Sequence, residues 1–331
     1  MFTNIYLAPM EGITSYIFRN ALAKFYGGID KYYTPFLTAS HLKGRELRDV
    51  HPDNNVGINL VPQILTNDSD LFIQISEQLV ALGYKEININ LGCPSGTVTA
   101  KGRGSGFLNY PDQLDKFLDE IMNGLNKLGS DIKLSVKTRI GYEFLSEWDD
   151  ILEVYKKYPF SELIIHPRLR SEFYTGEIHM DEFLKAGTQI SSEVDIVYNG
   201  DIVDADSYLA KFESIQYQPG FESRDTLPVM IGRGIISNPQ LAQTLKTVKP
   251  AQETFVSGPD IKSLKAFLNE IAENYIDEMS NEKQVVMKMK ELWTYLSMGL
   301  DLDKKQLKEI HKTSKLSEYK SVQQMILSGL S

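Results

Sequence analysis

Eight short apolar runs, each followed by an amphipathic segment, recur between residue 5 and about residue 238. That rhythm constrains the fold more than any other feature of the chain. The runs cover residues 5–8, 31–34, 60–64, 86–90, 134–138, 162–166, 195–198 and 229–231. They are too short for buried helices and read as strands. The segments between them read as helices. Residues 68–82 place Leu71, Phe72, Ile75, Leu79 and Leu82 at helical spacing, with Asp68 or Ser69 as the cap. A second helix starts near Pro111, runs through Leu114, Phe117, Leu118, Ile121 and Leu125, and ends at Gly129. Residues 216–227 read as a longer loop before the eighth strand. Eight strand-then-helix units in about 240 residues have the size of a (β/α)8 TIM barrel. The competing arrangement is a doubly wound open sheet. No G-x-G-x-x-G follows the first strand to support it.

From residue 258 the pattern turns purely helical. Ile261, Leu264, Phe267, Leu268, Ile271 and Tyr275 form one stripe, Val285, Met289, Leu292 and Leu296 a second, and residues 304–330 continue as helix. The expected organisation is an α/β barrel over residues 1–250 and a small all-helical domain over 258–331. With 42% hydrophobic and 24% charged residues the chain can bury a sizeable core. No run approaches the roughly 18 apolar residues of a membrane span. The first residues read as a strand, not a signal peptide. Cys93 is the single cysteine, which excludes internal disulfides and cysteine-rich metal sites. A cytoplasmic protein with no metal is the default expectation. The net charge of −9 argues against nucleic-acid binding by bulk electrostatics. Residues 283–320, however, hold nine lysines against five acids. From charge alone, such a stretch reads first as a solvated helical face.

Function in a barrel collects at the C-terminal ends of the strands. Alternation along the fifth strand puts Leu134 and Val136 outward, and Lys137 and Arg139 inward near the mouth. Charge inside a barrel needs compensation, so two cations there point to an anionic or electron-rich ligand, unless the strand is an exposed edge. The third strand ends at Gln63. The fourth ends at Asn90, ahead of Gly92, Cys93 and Pro94, and the sixth ends at His166. The seventh leads into Asn199, Gly200 and Asp201, and the eighth into Gly232, Arg233 and Gly234. Loops after strands seven and eight often bind phosphate in this fold. Glycine lets backbone N–H groups approach it and Arg233 offers charge-assisted bonds, although the same residue pairs also make plain turns.

Taken together, these segments resemble one family. Leu7-Ala8-Pro9-Met10 with Phe18-Arg19, Pro62-Gln63-Ile64 and Asn90-Leu91-Gly92-Cys93-Pro94-Ser95 are similar to motifs of tRNA-dihydrouridine synthases. So are the glycine-rich loop from Lys101 to Gly106, Val136-Lys137-Thr138-Arg139, and His166 to Arg170 with Tyr174 and Gly176. Asn199-Gly200-Asp201 and Met230-Ile231-Gly232-Arg233 complete the set, in family order. The tail, with Lys288, Lys290, Glu291, Trp293 and Tyr295, resembles the family's RNA-binding domain less specifically. The resemblance implies an FMN enzyme that uses NADPH and acts on tRNA as a monomer. Ala8, Pro9 and Met10 would line the flavin ring, Gln63 and Lys137 would bond its pyrimidine edge, and His166 would sit beside it. Asn199, Gly200, Asp201, Gly232 and Arg233 would hold the phosphate. Cys93 would donate a proton to the uracil, with Asn90, Lys101 and Arg139 contacting the substrate. Pro167 and Leu169 stand where Gly and Thr are usual, Asn88 where Asp is, and Pro35 where Glu is common. Other readings are a dihydrouridine synthase of ribosomal RNA, an FMN-barrel reductase of a small molecule, and a non-catalytic RNA binder.

Overall fold

The computed structural model describes residues 2, 4–129, 131–248 and 260–330. Its strands are β1 (Ile5–Leu7), β2 (Lys31–Tyr33), β3 (Leu60–Val61), β4 (Gln63–Ile64), β5 (Glu86–Leu91), β6 (Lys133–Arg139), β7 (Glu162–His166), β8 (Asp195–Tyr198) and β9 (Val229–Ile231). They form one sheet in the order β3-β2-β1-β9-β8-β7-β6-β5-β4, with every registered pair parallel. The third expected strand is divided at Pro62, which has no N–H for the ladder. Its first half pairs with β2 and its second with β5, so this single run joins the two ends of the sheet order. The carbonyl of Pro62 still accepts from Asn88 N–H at 2.9 Å, and Leu37 N–H donates to Gln63 O at 2.8 Å. The fold is a TIM barrel with a helical C-terminal region.

Alternation sorts the strand side chains. Tyr6, Ala8, Tyr33, Val61, Ile164, Val197 and Met230 form a buried cluster. Ile87, Ile89, Leu134, Val136, Leu163 and Ile165, on the opposite strand faces, are buried as well. Both faces of a parallel barrel must be covered, which explains the apolar runs. The expected helices form as Ser69–Ala81 and Pro111–Leu128. The Asp68 carboxylate caps the first by accepting from Leu71 N–H at 3.1 Å.

The N-terminal end of the barrel holds a buried ionic cluster. Lys31 Nζ donates to Glu162 Oε1 at 2.6 Å and to Glu86 Oε2 at 2.9 Å. The hydroxyls of Tyr6 and Tyr33 donate to Glu162 at 2.9 and 2.5 Å. Burial and the neighbouring Glu86 push the Glu162 carboxyl up. Burial pulls the Lys31 ammonium down, but the two carboxylates hold it above its ordinary value.

The chain divides into two compact units. One comprises Met1–Pro9, Asp30–Asp201 and Ala210–Met230, and contains the barrel strands apart from the last residue of β9. The other comprises Met10–Ile29, Ile202–Leu209 and Ile231–Ser331. Within the second, helix Tyr16–Phe25 packs on helix Ile261–Glu278, with Phe18 edge-on to Phe267 at 5.7 Å and Lys24 paired to Glu270 at 2.8 Å. Helices Glu282–Gly299, Lys304–Lys312 and Leu316–Gly329 follow. A polar chain ties the first and last of these to helix Ile261–Glu278. Trp293 Nε1 donates to Tyr319 Oη at 3.0 Å, and that hydroxyl donates to Gln323 Oε1 at 2.5 Å. Gln323 Nε2 donates to Asn269 at 2.9 Å. Trp293, quoted above for its likeness to an RNA-binding domain, is fully buried and serves this bundle. The expected boundary between residues 250 and 258 lies outside the described residues.

Candidate active site

The C-terminal ends of β4, β5 and β6 share a continuous line of amides. Gln63 Nε2 donates to Asn88 Oδ1 at 2.7 Å, and Asn88 Nδ2 donates to Ser135 Oγ at 3.0 Å. Asn90 Nδ2 donates back to Gln63 Oε1 at 2.8 Å. All four side chains are buried, so each bond satisfies a group that would otherwise be costly. Asn88, where the family usually has Asp, is used here as acceptor and donor at once; a carboxylate could only accept.

Asn90 also builds the loop that carries the thiol. Its Oδ1 accepts from Gly92 N–H at 3.0 Å and from Cys93 N–H at 2.9 Å. Cys93 is half-buried and its carbonyl accepts from Ser105 N–H at 3.1 Å and Ser105 Oγ at 2.8 Å. That contact brings the glycine-rich loop against the thiol. Gly104 has φ 55°, and a Cβ there would meet Cys93 O at 2.8 Å, so glycine is required on both counts. Lys101 heads the same loop with its side chain exposed, and its carbonyl accepts from Asn67 at 3.1 Å.

Lys137 lies opposite Asn90 in the β5–β6 register. Burial, and then the nearby Arg139 guanidinium, lower its ammonium to about 7, while Cys93 pulls the other way. Among the described residues no carboxylate pairs with it. Arg139 is 1% exposed, and burial lowers it to about 10. Its donors are committed to backbone: Nε to Gly92 O at 3.1 Å, Nη1 to Leu169 O at 2.7 Å and Nη2 to Phe173 O at 2.5 Å. Arg139 therefore fastens the loop after β7 to the loop that bears Cys93.

His166, at the end of β7, lies 6.2 Å from the Tyr174 ring in a stacked arrangement. Arg168 Nη1 stands 3.3 Å from His166 Nε2. A guanidinium only donates, so Nε2 accepts and the ring proton is assigned to Nδ1. Arg168 also grips Asp201 with two bonds of 3.0 and 2.5 Å and donates to Gly176 O at 2.7 Å. The Asp201 carboxylate is thus occupied by an arginine that the strand-end reading did not single out. Asn199 Nδ2 donates to Met230 O at 2.9 Å, and a Cβ on Gly200 would strike Tyr198 Oη at 2.2 Å. Leu169 is buried, within 3.1 Å of where a Gly141 Cβ would stand; Pro167 accepts from His179 N–H, and Pro35 is buried past β2.

Ala8 is buried and Pro9 half-buried after β1. In the second unit, Met10 N–H donates to Thr14 Oγ1 at 2.9 Å. Gly232 precedes the short helix Arg233–Ser237, and a Cβ on Gly234 would meet Ile202 O at 2.1 Å. The first unit thus brings Gln63, Asn90, Cys93, Lys137 and Arg139 into one bonded or electrostatically coupled group. Sequence reasoning missed Arg168 and the base cluster of Lys31, Glu86 and Glu162. The latter was detectable: all three begin an apolar run on its inward phase. A groove of about 490 Å³ opens elsewhere, beside Asn59, Tyr84, Glu86 and Lys133, at the N-terminal strand ends. Conservation and chemistry in such barrels belong to the opposite face. Among the described residues no group of three or more His, Cys, Asp or Glu side chains could hold a metal. No described helix is long and apolar enough to cross a membrane.

A parallel barrel with amides, a thiol and cations gathered at its C-terminal strand ends has the layout of a barrel enzyme. The particular family follows from comparison. Residues 6–328 match the profile of the dihydrouridine synthase (Dus) family, and the chain belongs to that family of oxidoreductases. It is 31% identical over 248 residues to a "Probable tRNA-dihydrouridine synthase" of Staphylococcus aureus, covering 70% of this chain and 68% of the relative. It is 29% identical over 255 residues to the "tRNA-dihydrouridine synthase B" of Pasteurella multocida, covering 74% and 69%. Among solved structures, a DHODH from Eimeria tenella in complex with ferulenol aligns with a TM-score of 0.50 at 14% identity, covering 73% of this chain and 79% of that one. This last likeness concerns the fold alone.

Proposed function

We propose that the protein reduces uridine in tRNA to 5,6-dihydrouridine, with FMN as cofactor and NADPH as reductant. The observation that carries the reading is Lys137: a half-buried cation with no carboxylate partner among the described residues, opposite Asn90 and electrostatically coupled to a half-buried thiol. Such a cation fits the electron-rich pyrimidine edge of a flavin, which would take the place of the missing counter-charge. Gln63 and Lys137 hold that edge, Ala8 and Pro9 line the ring, and His166 stands beside it. Within the first unit, Asn199, Gly200 and the backbone of Asp201 are the proposed phosphate ligands. When bound, FMN supplies a hydride to C6 of the uracil, drawn from NADPH.

The remaining chemistry belongs to this chain. Cys93 gives its thiol proton to C5, so that hydride and proton together saturate the C5–C6 bond. The thiolate left behind is stabilised by Lys137 and Arg139, both of which sense its charge. Asn90 orients the thiol by holding the Gly92 and Cys93 N–H groups. Lys101, exposed on the adjoining loop, contacts the RNA.

The test is reduction of tRNA from a strain that lacks the gene, by wild-type protein and by Cys93→Ala. The variant is expected to retain its yellow flavin and lose about 10²–10⁴-fold in rate, the usual worth of a positioned acid. Full activity without the thiol would remove Cys93 from the proton-transfer step. NADPH oxidation with free pyrimidines or enones, but none with tRNA, would reassign the site to a small molecule.

A further inference from the structure

The loop after β7 contains one residue that folding alone does not explain. Phe173 has φ 51° and ψ −108°, a conformation open to glycine and strained for any residue with a Cβ. Its ring is nonetheless 43% exposed. Strain is being maintained here to keep an apolar ring in solvent. The backbone that imposes it is fixed on both sides. Phe173 N–H donates to Arg170 O at 3.2 Å, and its carbonyl accepts from Arg139 Nη2. The same Arg139 bonds Gly92, so one guanidinium and two hydrogen bonds separate Phe173 from the residue before Cys93.

The ring is also supported from beneath. The Arg170 guanidinium lies 5.2 Å from the Phe173 centroid and 5.1 Å from that of Tyr142, with one cation serving both rings. Arg170 Nη2 donates to Thr99 Oγ1 at 3.3 Å, in the short helix that follows the Cys93 loop. Phe144, in the neighbouring loop, is 62% exposed. An immobilised aromatic face, backed by positive charge and tied to the thiol loop, matches what an unpaired nucleobase recognises: a π-surface to stack on and a cation for its phosphate.

We propose that Phe173, supported by Arg170 and Tyr142, is the stacking platform for an unpaired base adjoining the uridine that reacts at Cys93. This rests on the RNA reading of the site and adds to it a residue that selects single-stranded substrate. Neither strand-end position nor flavin chemistry requires an exposed ring at 173.

The test compares flavin-loaded wild type with Phe173→Leu, Phe173→Trp and Phe173→Gly, using an unmodified tRNA transcript. Binding is read by gel shift, and KM and kcat for uridine reduction are measured separately. Phe173→Leu and Phe173→Gly are expected to bind about tenfold more weakly, the scale of one lost base stack, with KM raised alike and kcat near wild type. Phe173→Trp restores both. Phe173→Gly is expected to melt no lower than wild type, because the backbone strain is relieved as the ring is lost. A residue kept only for packing would show the reverse: lower melting and unchanged binding. Wild-type affinity in Phe173→Leu overturns the platform while leaving uridine reduction intact. A wild type that binds the transcript but reduces no uridine overturns the reaction, and the binding series still decides the platform. No binding by the wild type overturns both.

Discussion

The two ends of the barrel place a lysine in opposite circumstances. At the base, Lys31 is bonded to Glu86 and Glu162, and its ammonium is held above the ordinary value. At the mouth, Lys137 has only Arg139 and Cys93 for electrostatic company and falls to about 7. The same side chain, on inward positions of one sheet, is complete in one place and unfinished in the other. A compensated buried charge is part of the fold, whereas an uncompensated one is held for something that arrives later.

Four substitutions break or sharpen it. The largest effect is expected at the base. Glu162→Ala leaves Lys31 with a single partner and two tyrosine hydroxyls without their acceptor, and should cost about 3–5 kcal/mol in denaturant unfolding. A loss below about 1 kcal/mol would show that the cluster is solvated. Lys137→Met should act in the opposite sense on the flavin-free protein, stabilising it on the order of 3 kcal/mol at pH 6. The pH dependence follows from the two values. An unfolded lysine keeps its proton up to about 10.5, and the folded one only up to about 7. Folding therefore releases a proton between those limits. Wild-type stability should climb from pH 7 toward 10.5, and the advantage of the methionine variant should shrink over the same interval. A pH-independent difference would mean that Lys137 is not titrating there. Lys31→Met, by contrast, should destabilise at neutral pH, because the raised ammonium contributes fully below the ordinary lysine value and its contribution is lost as pH rises through the folded one.

The smallest effect tests the mouth alone. Asn88→Asp places a carboxylate one step down the inner face from Lys137, while the Ser135 hydroxyl can turn to donate to it. The Lys137 titration should move upward, visible as a shift in the pH at which stability begins to climb. An unmoved titration would remove Asn88 from the set of residues that leave Lys137 uncompensated.

Much of this was legible in the chain. Strand positions followed from apolar runs because both faces of the sheet are buried, and the inward placement of Lys137 followed from alternation. The caps at Asp68 and the stop at Gly129 were local and therefore readable. What the sequence concealed depends on contacts distant along the chain. Strand phase placed Arg139 inward at the mouth, but carried no sign that its donors would bond carbonyls 30 and more residues away. Nothing local announces that Arg168 would hold Asp201 or that Arg170 would lie between two rings. The division of the third strand at Pro62 was visible as a proline, but not as the place where the sheet order meets itself. The strain at Phe173 is invisible to propensity, since it is imposed by bonds to Arg139 and Arg170.

The half-buried Cys93 is also the only sulfhydryl in the molecule. The chain has no second thiol to absorb an oxidant in its place. Each molecule of peroxide or electrophile that reacts with sulfhydryl in the pure protein is therefore expected to strike Cys93, the proposed proton donor: peroxide oxidises it to sulfenic and then sulfinic acid, whereas an electrophile alkylates it. Inactivation should track modification one for one. A single maleimide label then doubles as an active-site count, and a bound nucleobase should reveal itself as protection of the only group there is to protect.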